Sequence, residues 1–245
     1  MSVRLIAHRG VSARAPENTL PALLAAVEEG ADGVEFDVRL TRDGVPVLMH
    51  DDDVAGTTDG RGRVSEMTLQ AVRALEPKGR VDRSTDIRIP TLEEALEVVA
   101  GRIPIVVELK GVPDEGGFPG STPVAARVLP VVEAVRDVVV SSFDPLALAY
   151  VRERAPKVAT GLTIFLPPTD RGWVVPALVD GGHVECHAAH HFIDEPFVRA
   201  VHDAGKAVLA WIVNEPGRLR ALAAMGVDGV FTDDPTAARS VLHPA

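Results

Sequence analysis

Cysteine is almost missing from this sequence. A single thiol, Cys186, stands in 245 residues. That excludes an internal disulfide and fits a reducing compartment. Long apolar runs are missing too. None approaches the ~18 residues of a membrane-spanning helix, so no stable membrane anchoring is expected. A secretory leader is not expected either: Leu5-Ile6-Ala7 is too short for its apolar centre, and His8 follows at once. The expected location is cytoplasmic. Positive charge is in deficit, with a formal net charge of −10. This argues against nucleic acid or an anionic membrane surface as the main partner. A small anionic substrate stays compatible, because Arg9 and Lys110 can make one site locally positive. No exposed aromatic cluster is expected, and nothing in the sequence sets the oligomeric state.

What is present is a rhythm. Short apolar runs alternate with helical stretches, without any Gly/Ser-rich linker. The candidate strands are Val3–Ala7, Gly33–Leu40, Pro104–Leu109, Val138–Ser142, Val158–Ile164, His183–His187, Ala207–Val213 and Gly229–Thr232. They are mostly Val/Ile/Leu runs, as parallel strands covered by helices should be. Helix starts are signalled at Asp144-Pro145, Asn214-Glu215-Pro216 and Asp234-Pro235, and a capping box at Thr91 to Glu94. This alternation predicts a (β/α)8 barrel in one domain, residues 1–245, with a doubly wound open sheet as the alternative. One segment breaks the rhythm. After the second strand a hairpin turns at Asp43-Gly44, and residues 51–90 then hold only one weak helix, Leu69–Leu75. An insertion of that length, leaving the end of a barrel strand, is expected to cap the active-site mouth.

The chemistry gathers at predicted strand ends. Glu35 and Asp37 are two residues apart on the second strand, so the pleat points both to one face. Unless a cation or proton joins them, they repel. The plainer reading is a buried salt bridge, for instance with Arg39. Glu108 and Lys110 repeat the spacing on the third strand. Three carboxylates on adjacent strands suit one Mg²⁺ or Ca²⁺, which prefers oxygen ligands. Arg9 and Lys110 suit phosphate oxygens, one as a fork and one as a point charge. His8 and His50 flank the set and can exchange protons near neutral pH. Glu17 and Asn18 follow the first strand and are candidates to support His8 or Arg9, while Thr19 is a candidate helix cap. Trp211 is read either as barrel core, sharing a face with Leu209 and Val213, or as an apolar wall beside a substrate. His183, Cys186, His187, His190 and His191 crowd near the sixth strand, but their spacing fits no standard zinc site.

Taken together, the chain resembles the glycerophosphodiester phosphodiesterases. The pieces that carry the resemblance are His8-Arg9-Gly10, Pro16-Glu17-Asn18-Thr19, Glu35-Phe36-Asp37-Val38, His50-Asp51, Pro90-Thr91-Leu92-Glu93-Glu94, Glu108-Leu109-Lys110, Trp211-Ile212-Val213-Asn214 and Asp228-Gly229. They span nearly the whole chain in the family's order. The resemblance implies a TIM barrel, a divalent metal on Glu35, Asp37 and Glu108, and His8 with His50 as the acid/base pair. It also implies that the segment after His50 is the family's insertion, and it favours Trp211 as a substrate wall. The chain departs from the pattern at Gly56, where the family usually carries arginine ahead of a Thr-Thr pair, here Thr57-Thr58. The implied activity is metal-dependent hydrolysis of small glycerophosphodiesters to sn-glycerol 3-phosphate and an alcohol. The rivals are a lysophospholipid or phosphoinositide phosphodiesterase on the same barrel, and a non-catalytic phosphodiester-binding protein. The last predicts loss of at least one of His8, His50, Glu35, Asp37 or Glu108, and none is lost.

Overall fold

A computed structural model of the chain describes residues 3–79, 87–113, 119–165 and 171–243. In chain order it holds β1 (Arg4–His8), α1 (Leu20–Glu28), β2 (Gly33–Leu40), β3 (Pro46–Leu48), α2 (Leu69–Arg73), α3 (Leu92–Val99) and β4 (Ile105–Leu109). There follow β5 (Val112–Pro113), β6 (Pro119–Gly120), α4 (Thr122–Val132), β7 (Val138–Ser142), α5 (Pro145–Arg154), β8 (Ala159–Ile164) and α6 (Val174–Asp180). The chain closes with β9 (Glu185–Ala189), α7 (Glu195–Asp203), β10 (Ala207–Trp211), α8 (Pro216–Met225), β11 (Gly229–Thr232) and α9 (Pro235–Leu242).

The main sheet runs β1-β11-β10-β9-β8-β7-β4-β2, all parallel, and β2 pairs back onto β1. That closure makes a (β/α)8 TIM barrel and disposes of the open sheet. Ile6, Val106, Leu209 and Phe231 fill its interior, with Val139, Ala207 and Trp211 against them. Larger apolar clusters join the outer strand faces to the helices. Each fully buried Leu or Phe stabilises the fold by about 2 kcal/mol. Helix starts follow the sequence signals. The Thr91 hydroxyl accepts from Glu94 N and the Glu94 carboxylate accepts from Thr91 N, a complete capping box.

The structure corrects several local expectations. β9 starts at Glu185, because His183 belongs to a turn whose N–H donates to Leu178 O. β10 ends at Trp211, so Val213 leaves the Leu209–Trp211 face and packs into an outer cluster. The helix expected over Leu69–Leu75 stops at Arg73. Thr19 stands at the N-cap of α1, but its hydroxyl donates to Pro16 O at 2.6 Å rather than capping.

In the insertion, Val54, Val64, Val72 and Ile89 form a small separate core with Val47 and Met49. Its far end lies against the loop after β1: a Cβ on Gly79 would come within 3.0 Å of Pro16 Cγ. Residues 80–86 of the expected cap lie outside the described residues. Among the described residues, no helix is long and apolar enough to cross a membrane.

One ionic cluster makes the fold acid-sensitive. Glu185, 5 % exposed, pairs with Arg4 at 2.9 Å and with His187 Nε2 at 3.0 Å. Burial opposes its charge, yet the hydrogen bonds from His187 and Arg4 pull its pKa from 4.5 to about 2. A carboxylate depressed in the fold stabilises it above the ordinary pKa and loses that contribution as pH falls through the folded one. Stability to urea should therefore drop between pH 4.5 and about 2. Glu185→Gln should flatten that drop and cost about 2 kcal/mol at pH 7. An acid limb unchanged by the substitution would show that this cluster does not set it.

Candidate active site

His8 is the last residue of β1, and the chain turns sharply behind it. Gly10 has φ +80°, and a Cβ there would stand 2.4 Å from the Ala22 backbone. Only glycine fits that approach. His8 Nδ1 donates to Asp233 Oδ1 at 2.8 Å. Asp233 also accepts from Ser12 Oγ (3.1 Å) and Asn214 Nδ2 (2.6 Å). Burial works against its charge, but these bonds hold its carboxyl below the usual range. Asn214, read from sequence as a candidate cap, instead holds Asp233, and Glu215 caps α8.

β2 aims Glu35 and Asp37 into the barrel, 3 % and 1 % exposed. Asp37 is the better compensated. Lys110 Nζ lies 2.9 Å from its Oδ1, and Arg9 Nε makes an ion-pair contact of 3.0 Å with Oδ2, outside hydrogen-bond geometry. Asn18, at φ +57°, donates Nδ2 to Asp37 Oδ2 (2.9 Å) and accepts Asp37 N–H (3.1 Å). Despite burial, Lys110 and Arg9 push the Asp37 carboxyl well below its ordinary value. Glu35 goes the other way. Burial, then repulsion from Asp37 and Glu108, raises it well above the carboxylate range. Its hydrogen bond is from the Arg9 backbone N–H, at 3.0 Å. Among the described residues it has no ion pair. Glu108, beside Asp37 in register on β4, pairs with Lys110. Oxygens of Glu35, Asp37 and Glu108 lie within 4.8 Å of one another, the arrangement a hard cation needs.

His50 follows β3, and its Nδ1 donates to Asp51 Oδ1 at 2.8 Å. Burial, with Lys110 and Arg9 nearby, lowers its pKa against the pull of Asp37 and Asp51. Arg39 is not the partner of Glu35 or Asp37. It donates to His50 O and Gly111 O, both at 2.7 Å, and so ties the His50 loop to the end of β4. Glu17 does what its position suggests, accepting from Arg9 Nη1 at 2.7 Å.

The two histidines, three carboxylates and two cations meet in a cavity of about 170 Å³ at the C-terminal ends of the strands, where barrel active sites form. His8, Arg9, Glu35, Asp37, His50, Glu108 and Lys110 form its charged part. Ser141, Phe143, Thr163, His187, Trp211, Ile212 and Phe231 form the rest, most of them unsignalled in the sequence. None of the described residues of the insertion lines it. Trp211 is a wall of this cavity, its indole N–H donating to His187 O at 3.0 Å. An aromatic cluster, not expected from sequence, does exist. Trp211 meets Phe143 at 5.7 Å and Phe165 at 6.0 Å, and Phe165 meets Phe192 at 5.2 Å. Phe143 and Phe165 are 48 % and 61 % exposed. Of the histidines near β9, only His190 and His191 meet, their rings 3.7 Å apart. Cys186 packs outward, His187 points inward to Glu185, and His183 holds Thr160, so no second metal group forms among the described residues.

A barrel whose mouth gathers three carboxylates that could hold a metal ion, two cations and two carboxylate-held histidines defines a phosphodiester hydrolase. Comparison with known proteins agrees. Residues 8–237 match the Glycerophosphoryl diester phosphodiesterase family. A glycerophosphodiester phosphodiesterase of Caldanaerobacter subterraneus is 32 % identical over 96 % of both chains. A crystal structure of an Oleispira antarctica phosphodiesterase, in complex with the product sn-glycerol-3-phosphate, superposes with a TM-score of 0.87 at 32 % identity, covering 98 % of this chain and 96 % of that one. A Silicibacter pomeroyi structure, described as a glycerophosphoryl diester phosphodiesterase, reaches 0.86 at 31 % identity, covering 98 % and 93 %. The chain belongs to the glycerophosphoryl diester phosphodiesterase family.

Proposed function

We propose that the enzyme hydrolyses soluble glycerophosphodiesters to sn-glycerol 3-phosphate and an alcohol, in the cytoplasm, with one divalent ion, Mg²⁺ or Ca²⁺, on Glu35, Asp37 and Glu108. The convergence of those carboxylates with His8, His50, Arg9 and Lys110 on one cavity carries this reading. The donor set fits such an ion. Three buried or half-buried carboxylates face two cationic side chains, and Glu35 lacks an ionic partner among the described residues. When bound, the ion supplies charge neutralisation at the phosphate.

The protein's own groups divide the remaining work. Arg9 and Lys110 meet phosphate oxygens. Each histidine gives its Nδ1–H to a carboxylate, which only accepts, so Nε2 is the nitrogen that exchanges a proton with the reacting oxygens. One takes the proton of the attacking oxygen and the other protonates the leaving alkoxide. Glu17 and Asn18 hold Arg9 and Asp37 in place. The insertion, residues 51–90, serves as a cap in this reading, which the packing of its described part on the loop that carries Glu17 and Asn18 supports. Shortening it while keeping both ends should change KM and head-group selectivity more than metal affinity.

A second reading is favoured by one observation. The aromatic rim of Phe143, Phe165 and Trp211 offers apolar surface to a lysophospholipid chain. A metal-supplemented assay against glycerophosphocholine, glycerophosphoethanolamine, lysophosphatidylcholine, phosphoinositol esters and phospholipid vesicles separates the readings. The deacylated diesters should turn over fastest, because the net charge of −10 disfavours anionic bilayers. Equal cleavage of vesicle phospholipid would overturn the substrate class.

A further inference from the structure

Two hydroxyls in the cavity wall have nothing to bind. Ser141 on β7 and Thr163 on β8 line the cavity, 0 % and 5 % exposed. Neither hydroxyl has a hydrogen-bond partner, and they are the only buried hydroxyls so placed among the described residues. Their neighbours in sequence are satisfied: Ser142 Oγ donates to Leu109 O at 3.1 Å, and Thr160 Oγ1 meets His183 Nδ1 at 2.8 Å. A buried polar group is left unpaired only at a cost in stability, so orphans aimed into a cavity point to a ligand. Strand register places them. Ser141 sits beside Glu108, and Thr163 sits beside His187, two residues further along β8 than Gly161, the partner of Ser141. The pair thus begins next to the carboxylate cluster and continues along the wall away from it.

We propose that Ser141 and Thr163 are specificity residues for the free hydroxyls of the glycerol moiety. This rests on the phosphodiester reading and adds the orientation of the substrate. A hydroxyl both donates and accepts, so one on each of two adjacent strands, offset by two residues, suits the two hydroxyls of a diol. With the phosphate at Arg9 and Lys110, the glycerol arm lies along β7 and β8, and the second alcohol faces the exposed ring of Phe143. An acyl ester on the glycerol removes one of the two hydroxyls and leaves one of the buried pair without its partner. The aromatic rim then serves the leaving alcohol, and a lysophospholipid is a poor substrate.

The test is a binding ratio, independent of turnover. Calorimetry on the full chain with Mg²⁺ compares sn-glycerol 3-phosphate with n-propyl phosphate, which has the same length and charge but no hydroxyls. The wild-type protein should prefer the glycerol ester on the order of a hundredfold. Ser141→Ala and Thr163→Val should each lower that ratio about tenfold, and Thr163→Ser should restore it. A wild-type ratio near one means that the hydroxyls only hold water, and overturns the assignment while leaving the phosphate site standing. Variants that keep the wild-type ratio, or that weaken both esters equally, overturn it as well. If the wild-type protein binds neither ester nor inorganic phosphate, the phosphodiester reading fails and this assignment fails with it.

Discussion

Chelation is expected to abolish turnover, and Mg²⁺, Mn²⁺ or Ca²⁺ to restore it. The physical ground is the charge imbalance at the mouth of the barrel. Arg9 and Lys110 are both drawn to Asp37, which leaves Glu35 buried, repelled by two carboxylates and, among the described residues, without an ionic partner. Without a further cation, burial and the repulsion from Asp37 and Glu108 favour the protonated form of Glu35. Two substitutions should therefore separate. Glu35→Gln mimics that protonated state, so the metal-free fold should melt near the wild-type temperature. The rise in Tm that a bound ion gives should vanish, because only the folded state holds the ion. Asp37→Asn removes the anchor of Arg9, Lys110 and Asn18, so it should destabilise the metal-free fold by about 3 kcal/mol as well. Both should reduce kcat/KM steeply. Undiminished activity after exhaustive chelation would remove the ion from the proposed function.

The strand alternation makes much of this site legible in the sequence. Glu35 with Asp37, and Glu108 with Lys110, are spaced by two, and a parallel barrel puts such pairs on its inner face at neighbouring register. The same logic misled at Arg39. It also lies two residues on, but its long side chain reaches past the barrel edge to backbone carbonyls instead. What stayed hidden depends on closure. His8 and Asp233 are 225 residues apart and meet only because β1 pairs with β11. Phe143, Phe165, Phe192 and Trp211 come from separate stretches of the chain, so no window of the sequence shows them as a cluster. Ser141 and Thr163 are short polar residues in apolar runs, indistinguishable by composition from Ser142 and Thr160, which hydrogen-bond within the protein. Trp211 shares the inner face with Leu209, as the alternation predicts, but Val213 does not, because periodicity does not mark where a strand stops.

His8→Ala and His50→Ala should each lower kcat on the order of 10²–10⁴-fold while the protein still folds and binds metal. Neither ring is part of the apolar core, so the loss should fall on proton transfer rather than on stability. Acid and base roles held by two residues should give a bell-shaped pH–rate profile. The limb that belongs to His50 can be moved by design. Burial, Lys110 and Arg9 hold its pKa below the ordinary 6.5, while Asp37 and Asp51 pull upward. Asp51→Asn removes an anion that favours the imidazolium, so that limb should shift to lower pH with the other limb in place. The companion change, Asp233→Asn, weakens the carboxylate that holds His8 Nδ1 and should lower kcat more than it raises KM. If either histidine variant turned over near the wild-type rate, that residue would only pack or hold a water, and proton transfer would belong to another group in the cavity.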